Sequence, residues 1–121
     1  PTADAAIARA TTLLDALTER DRIAVLDAHP RIGADRRVLS ADSAREQGAD
    51  DHPAVLARLA ELNELYERQF GFRFVVFVAG RSKSEIVPVL ERRLRRTRDE
   101  ELATGIEQFL AIALDRLTRP A

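Results

Sequence analysis

Phe72-Arg73-Phe74-Val75-Val76-Phe77-Val78 is the stretch on which the fold turns. It is rich in β-branched and aromatic residues and is bounded by Gly71 and Gly80, the pattern of a strand. Every other periodic segment of the chain reads as helix, so this strand has nothing to pair with. The expectation is therefore an irregular or extended buried segment over about 72–79, wedged between helices. The fold class that follows is all-α, a compact single-domain helical bundle.

Working outward from that segment, the helices announce themselves by spacing. Ile7, Ala10, Leu14 and Leu17 recur at three- and four-residue steps and predict an amphipathic first helix. Thr18-Glu19-Arg20-Asp21 has capping-box spacing and opens a second helix carrying Ile23 and Leu26. That helix must stop near His29, because Pro30 disfavours helical geometry in the residue before it. Arg31 to Leu39 reads as a loop containing Gly33. Ser40 or Ser43 can cap a short third helix, with Ser43 and Glu46 again at capping-box spacing. Asp50-Asp51-His52-Pro53 starts a long helix with Leu56, Leu59, Leu62 and Tyr66 on one stripe, closed by Gly71. Beyond the extended segment, Ser82 or Ser84 starts a helix through Leu94, in which Pro88 is tolerated only near the first turn. Thr97-Arg98-Asp99-Glu100 caps a last helix through about Leu117. Gly105 inside that helix is a locally unfavourable choice.

The 121 residues make one domain, 1–121, able to bury about 65% of its unfolded surface. A net charge of −1 supplies no field that would favour nucleic acid or a membrane surface. The lack of cysteine removes disulfides, thiolate nucleophiles and thiolate metal sites. The longest apolar run, Phe74 to Gly80, falls far short of the ~20 residues that span a bilayer. The N-terminal stretch lacks the basic start and apolar middle of a signal peptide. These features point to a soluble, cytoplasmic domain with no nucleic-acid and no membrane partner.

With two histidines and no cysteine, few side chains can move a proton near neutral pH. His29 is held by Pro30 and is followed by Ser43, Glu46 and Gln47, a hydroxyl, a carboxylate and an amide on a nearby turn. That set suits acid/base chemistry. His29 is equally a helix-end histidine favoured by the helix dipole, and Ser43 and Glu46 are equally capping residues. The two readings are compatible at Ser43, since a helix N-terminus favours anions. His52, beside Asp50 and Asp51, reads as a solvated helix start. On a helical wheel from Ile106 the apolar face takes in Leu110, Ala113 and Leu117, with Phe109 and Arg116 at its border. Arg116 there is half sheltered, either to bind a carboxylate bidentately or to snorkel as a rim residue. The run Arg92, Arg93, Arg95, Arg96 and Arg98 reads as a solvated helix face with pairs such as Glu91–Arg95. As a nucleic-acid patch it lacks aromatic interleaving. Lys83, the sole lysine, sits in a Ser-rich turn where nothing indicates the burial that a Schiff-base lysine needs. No histidine pair has metal-ligand spacing and no acidic cluster resembles a calcium loop, so no metal is expected.

These segments, in this order, resemble the family of OHCU decarboxylases, which act on 2-oxo-4-hydroxy-4-carboxy-5-ureidoimidazoline in urate breakdown. The matching stretches are His29-Pro30-Arg31-Ile32-Gly33, Ser43-Ala44-Arg45-Glu46-Gln47, Leu62-Asn63-Glu64-Leu65-Tyr66, Phe70 to Val76, Ile86 to Leu94, and Leu114-Asp115-Arg116-Leu117. Carried over by position, the resemblance implies catalytic roles for His29, Glu46 and Arg116. It implies substrate binding by Ser43 and Gln47, with Pro30 and the backbone of Phe74, Val75, Val76, Phe77 and Val78 as the remaining pocket wall. It further implies an all-helical homodimer, a small-molecule substrate (OHCU) and no cofactor, because the substrate supplies its own electron sink. Family members carry a longer section before the first helix than a chain beginning at Pro1 does. Two other readings stay open: a family member that binds a ureide without turnover, and a helical interaction module using its arginine-rich helix.

Overall fold

Side-chain caps set the start of each helix in the computed structural model, which describes residues 2–33 and 52–119. Among these residues there are five helices and no strand: α1 (Ala3–Asp15), α2 (Glu19–Asp27), α3 (Pro53–Phe70), α4 (Lys83–Arg93) and α5 (Arg98–Thr118). Thr2, Thr18, His52, Ser82 and Thr97 are the N-caps. Ser82 with Glu85, and Thr97 with Glu100, form complete capping boxes. At Thr18 only the hydroxyl half forms, accepting from the Asp21 N–H at 3.2 Å. Asp21 is one methylene shorter than the glutamate that normally reaches back. Gly71 ends α3 in the left-handed conformation at φ 83°, open to glycine at no steric cost. The short helix expected near Ser40 or Ser43 lies outside the described residues.

The longest helix, α5, packs on α1 and α2, while α3 packs on α4. Gly105 is what lets α5 approach α2: a Cβ at that position would sit 2.9 Å from Leu26 Cδ1. Its cost in helix propensity is the condition of that contact. Pro88 proves to be the sixth residue of α4 rather than part of its first turn. The helix continues because Ser84, whose carbonyl loses its partner, and Pro88 both lie on the exposed side, where water can replace the bond.

The expected extended segment is present. Residues 73–78 have no regular secondary structure, yet Phe72, Phe74, Val75, Val76 and Val78 are all in the core. Tyr66 gathers the rings, its centroid lying 4.6, 5.3 and 6.0 Å from those of Phe70, Phe74 and Phe72. With no sheet partner among the described residues, several backbone groups of this stretch are bonded by side chains instead. Arg73 N–H donates to Asp27 Oδ1 (3.0 Å), and Phe77 N–H to Gln108 Oε1 (2.8 Å). Arg93 Nη1 donates to the Val75 carbonyl (2.7 Å). Arg81 donates to the carbonyls of Phe77 and Val78.

The arginine run does not form a uniformly solvated face. Arg93 is 7% exposed and Glu101 is fully buried. Arg93 Nε donates to Glu101 Oε1 (2.7 Å), Tyr66 Oη to the same oxygen (2.6 Å), and Arg96 Nη1 to Oε2 (2.9 Å). The Arg93 guanidinium also lies 4.5 Å from the Phe74 ring centroid. Burial holds the Tyr66 phenol well above its ordinary pKa, against the opposing pull of Arg93. The expected Glu91–Arg95 pair is replaced by one across helices, Arg58 Nη2 to Glu91 Oε2 at 2.9 Å.

Candidate active site

His29 sits just past the end of α2, where three contacts fix it. Its N–H donates to the Leu26 carbonyl (3.1 Å), closing the last turn of the helix. Its own carbonyl accepts from Arg73 Nη1 at 2.8 Å. Its half-buried ring meets Phe109 edge-on, with centroids 5.2 Å apart and planes at 90°. Phe109 belongs to a stripe of α5 at helical spacing. Phe109, Ile112, Ala113, Arg116 and Leu117 line, with His29, a hollow of about 300 Å³. Residues from opposite ends of the chain thus meet because Gly105 draws α5 against α2.

The wheel analysis places Phe109 and Arg116 together, and both do line this hollow. Two details differ from expectation. Arg116 is exposed rather than half sheltered, and Leu117 is 57% exposed at the rim rather than on the apolar face. Ile112 takes the buried position instead, at 5%. Both exposed residues belong to the last turn of α5.

The remaining expected site residues are distributed differently. Pro30 lines an adjoining concavity of about 360 Å³ with Arg31, Ile32, Gly33, Ala60, Asn63 and Arg73, and does not line the His29 hollow. Phe74, Val75, Val76, Phe77 and Val78 are likewise not in the lining of the hollow. Of these, Phe77 donates its N–H to Gln108, the residue before Phe109 on α5. Ser43, Glu46 and Gln47 lie outside the described residues. His52 is the expected exposed helix start, its Nδ1 accepting from Ala54 N–H at 3.2 Å. Lys83 differs outright. As the first residue of α4 it is carried into the protein behind the Ser82 cap and is 1% exposed.

Sequence reasoning misses three residues that organise this region: Asp27, Arg73 and Gln108. One signal was available for Asp27, since an acidic residue at the C-terminus of a helix opposes the helix dipole. Such a choice marks a tertiary partner, here the Arg73 N–H.

A family model described as OHCU decarboxylase matches residues 1–118. A 2-oxo-4-hydroxy-4-carboxy-5-ureidoimidazoline decarboxylase of Halalkalicoccus jeotgali is 32% identical over 120 residues, covering 93% of this chain and 67% of that protein. A uric acid degradation bifunctional protein of Bacillus subtilis is 31% identical over 115 residues, covering 88% of this chain and 22% of its own length. The chain thus spans about two thirds of the former relative and about a fifth of the latter. Among solved structures, an OHCU decarboxylase crystallised in the presence of (S)-allantoin superposes with a TM-score of 0.82 at 25% identity, over 97% of this chain and 80% of that one. The helical architecture, the order of the motifs and these matches converge on one conclusion: the chain belongs to the OHCU decarboxylase family.

Proposed function

We propose that this chain decarboxylates 2-oxo-4-hydroxy-4-carboxy-5-ureidoimidazoline to (S)-allantoin, without a cofactor, in urate degradation. The observation that carries this reading is the meeting of His29 and Arg116 in one hollow, in a chain of this family. Loss of CO2 from C4 of the substrate leaves an electron pair that moves onto the adjacent C5=N bond. Protonation at C5 and collapse of the C4 hydroxyl to a carbonyl then yield allantoin. The protein has to orient the departing carboxylate, handle the hydroxyl proton and deliver a proton to one face.

In this reading His29 partners the C4 hydroxyl and carboxylate as hydrogen-bond partner or base, and Arg116 anchors substrate oxygens electrostatically. The apolar residues Phe109, Ile112 and Ala113 give the hollow a floor against which the substrate ring can pack. Glu46 orients the ureido or ring N–H groups. Ser43, Gln47, Pro30 and the backbone of Phe74 to Val78 hold the ring; these roles rest on sequence position in the family. The same reading takes 1–121 as a single decarboxylase domain acting in the cytoplasm as a homodimer, and light scattering at micromolar concentration tests the dimer.

The activity is tested by mixing the protein with OHCU freshly generated from urate and following circular dichroism. Rapid appearance of one-handed allantoin is expected. Racemic product at the spontaneous rate would reject the activity.

A further inference from the structure

Arg73 lies in the extended segment, one residue before the stretch that resemblance credits with a pocket wall. It is tied to the end of α2 twice. Its backbone N–H donates to Asp27 Oδ1 (3.0 Å), and its Nη1 donates to the His29 carbonyl (2.8 Å). One bond ends on the Asp27 side chain and the other on the His29 main-chain carbonyl, so one residue ties the end of α2 on either side of Ala28. A carbonyl beyond the end of a helix has no partner within that helix, and here Arg73 supplies one.

We infer that Arg73 is a positioning residue: it fixes the main chain at His29 so that the imidazole stands edge-on to Phe109 and faces the hollow shared with Arg116. This rests on the decarboxylase reading for its effect on rate, and on geometry alone for its effect on the ring. Phe109 limits the ring on one side, and the Leu26 carbonyl holds the His29 N–H. Pro30 narrows the conformations open to His29, and the Arg73 bond to the His29 carbonyl fixes the following peptide within them. A displacement of about 1 Å at a reacting group can lower turnover on the order of a hundredfold.

The test compares wild type with Arg73→Ala, which removes the side-chain bond, and Arg73→Lys, which keeps a cationic donor. The chain has two histidines, so a two-dimensional 1H–13C spectrum shows two imidazole Cε1–H signals, and His52→Asn assigns them. In wild type the His29 signal carries a ring-current shift from Phe109. It is expected to collapse in Arg73→Ala and to return in Arg73→Lys, with helical circular dichroism unchanged in all three. In the OHCU assay, kcat of Arg73→Ala is expected to fall about ten- to a hundredfold with KM within about threefold, and Arg73→Lys to recover most of it. An unaltered ring-current shift in folded Arg73→Ala overturns the inference. So does a lysine variant that folds and restores neither readout. Wild type without turnover defeats the decarboxylase reading instead, while the spectral comparison still decides the position of the ring.

Discussion

Two clusters in this molecule use similar groups for opposite ends. Around Glu101, a buried carboxylate is held by the buried Arg93 guanidinium, the Tyr66 phenol and, from the exposed side, Arg96. Around His29, an imidazole and a guanidinium border about 300 Å³ of open space on an apolar floor. The first directs its bonds to fixed protein groups, with one buried nitrogen, Arg93 Nη2, left without a partner among the described residues, and its ions organise the fold. The second faces a volume of a size to admit a small polar molecule. What separates the two is burial: Glu101 and Arg93 are sealed in the core, whereas His29 is half-buried and Arg116 is exposed beside open volume.

The strongest way to break the contrast is Glu101→Ala. It leaves Arg93 buried without its counter-charge and is expected to cost about 3–5 kcal/mol, read as a lowered urea midpoint. His29→Asn is the mirror experiment. Turnover of OHCU should fall about 10²–10⁴-fold while the urea midpoint stays near wild type. Loss of stability in place of rate would show that the two clusters do not differ in kind.

Gly105→Ala probes the seam that brings the hollow together. Alanine gains about 1 kcal/mol of helix propensity. It also drives a Cβ to 2.9 Å from Leu26, a side chain with no exposed surface into which to move. Overpacking of this kind costs about 1–3 kcal/mol, so a net loss of about 1 kcal/mol is expected in thermal melts; a stabilised variant would show that the seam has slack.

The smallest effect sharpens the contrast from outside both clusters. The Ser82 and Thr97 backbone N–H bonds, then their hydroxyls, hold the carboxyls of Glu85 and Glu100 below the usual carboxylate range. A carboxyl whose folded pKa is depressed adds stability above its unfolded pKa and loses it as pH falls through the folded value. Glu85→Gln and Glu100→Gln should therefore flatten the acid side of the stability profile, below about pH 4.5. The variants should lie below wild type at neutral pH, where the wild-type carboxylates contribute, and converge with it in acid, where those carboxyls are protonated.

Local chemistry made much of this fold legible. Thr18, Ser82, Thr97 and Gly71 mark helix ends through bonds made within a few residues, and those marks are in the sequence. The solitary strand-like run was legible too, because the absence of a second run dictates that it cannot build a sheet. Arg93 was readable in principle: Ile86, Leu90 and Arg93 share one helical stripe, and an arginine on a core stripe calls for a buried acid. Lys83 and the Arg58–Glu91 pair were not readable, since their surroundings come from distant segments. Within the candidate site, periodicity joined Phe109 to Arg116, but nothing local joined either of them to His29. That meeting depends on the α2–α5 seam at Gly105, which one-dimensional rules register only as a penalty.

The unpaired extended segment carries a consequence for folding order. Apart from Arg81, its anchors arrive from remote positions: Asp27 from α2, Arg93 from α4 and Gln108 from α5. Closing such distant loops comes after local helix formation, so this ribbon sets only when the helices have docked. A chain halted before that step would have docked helices and yet lack the Arg73 bonds at the end of α2 that hold the imidazole in place, its chemistry being the last thing folding delivers.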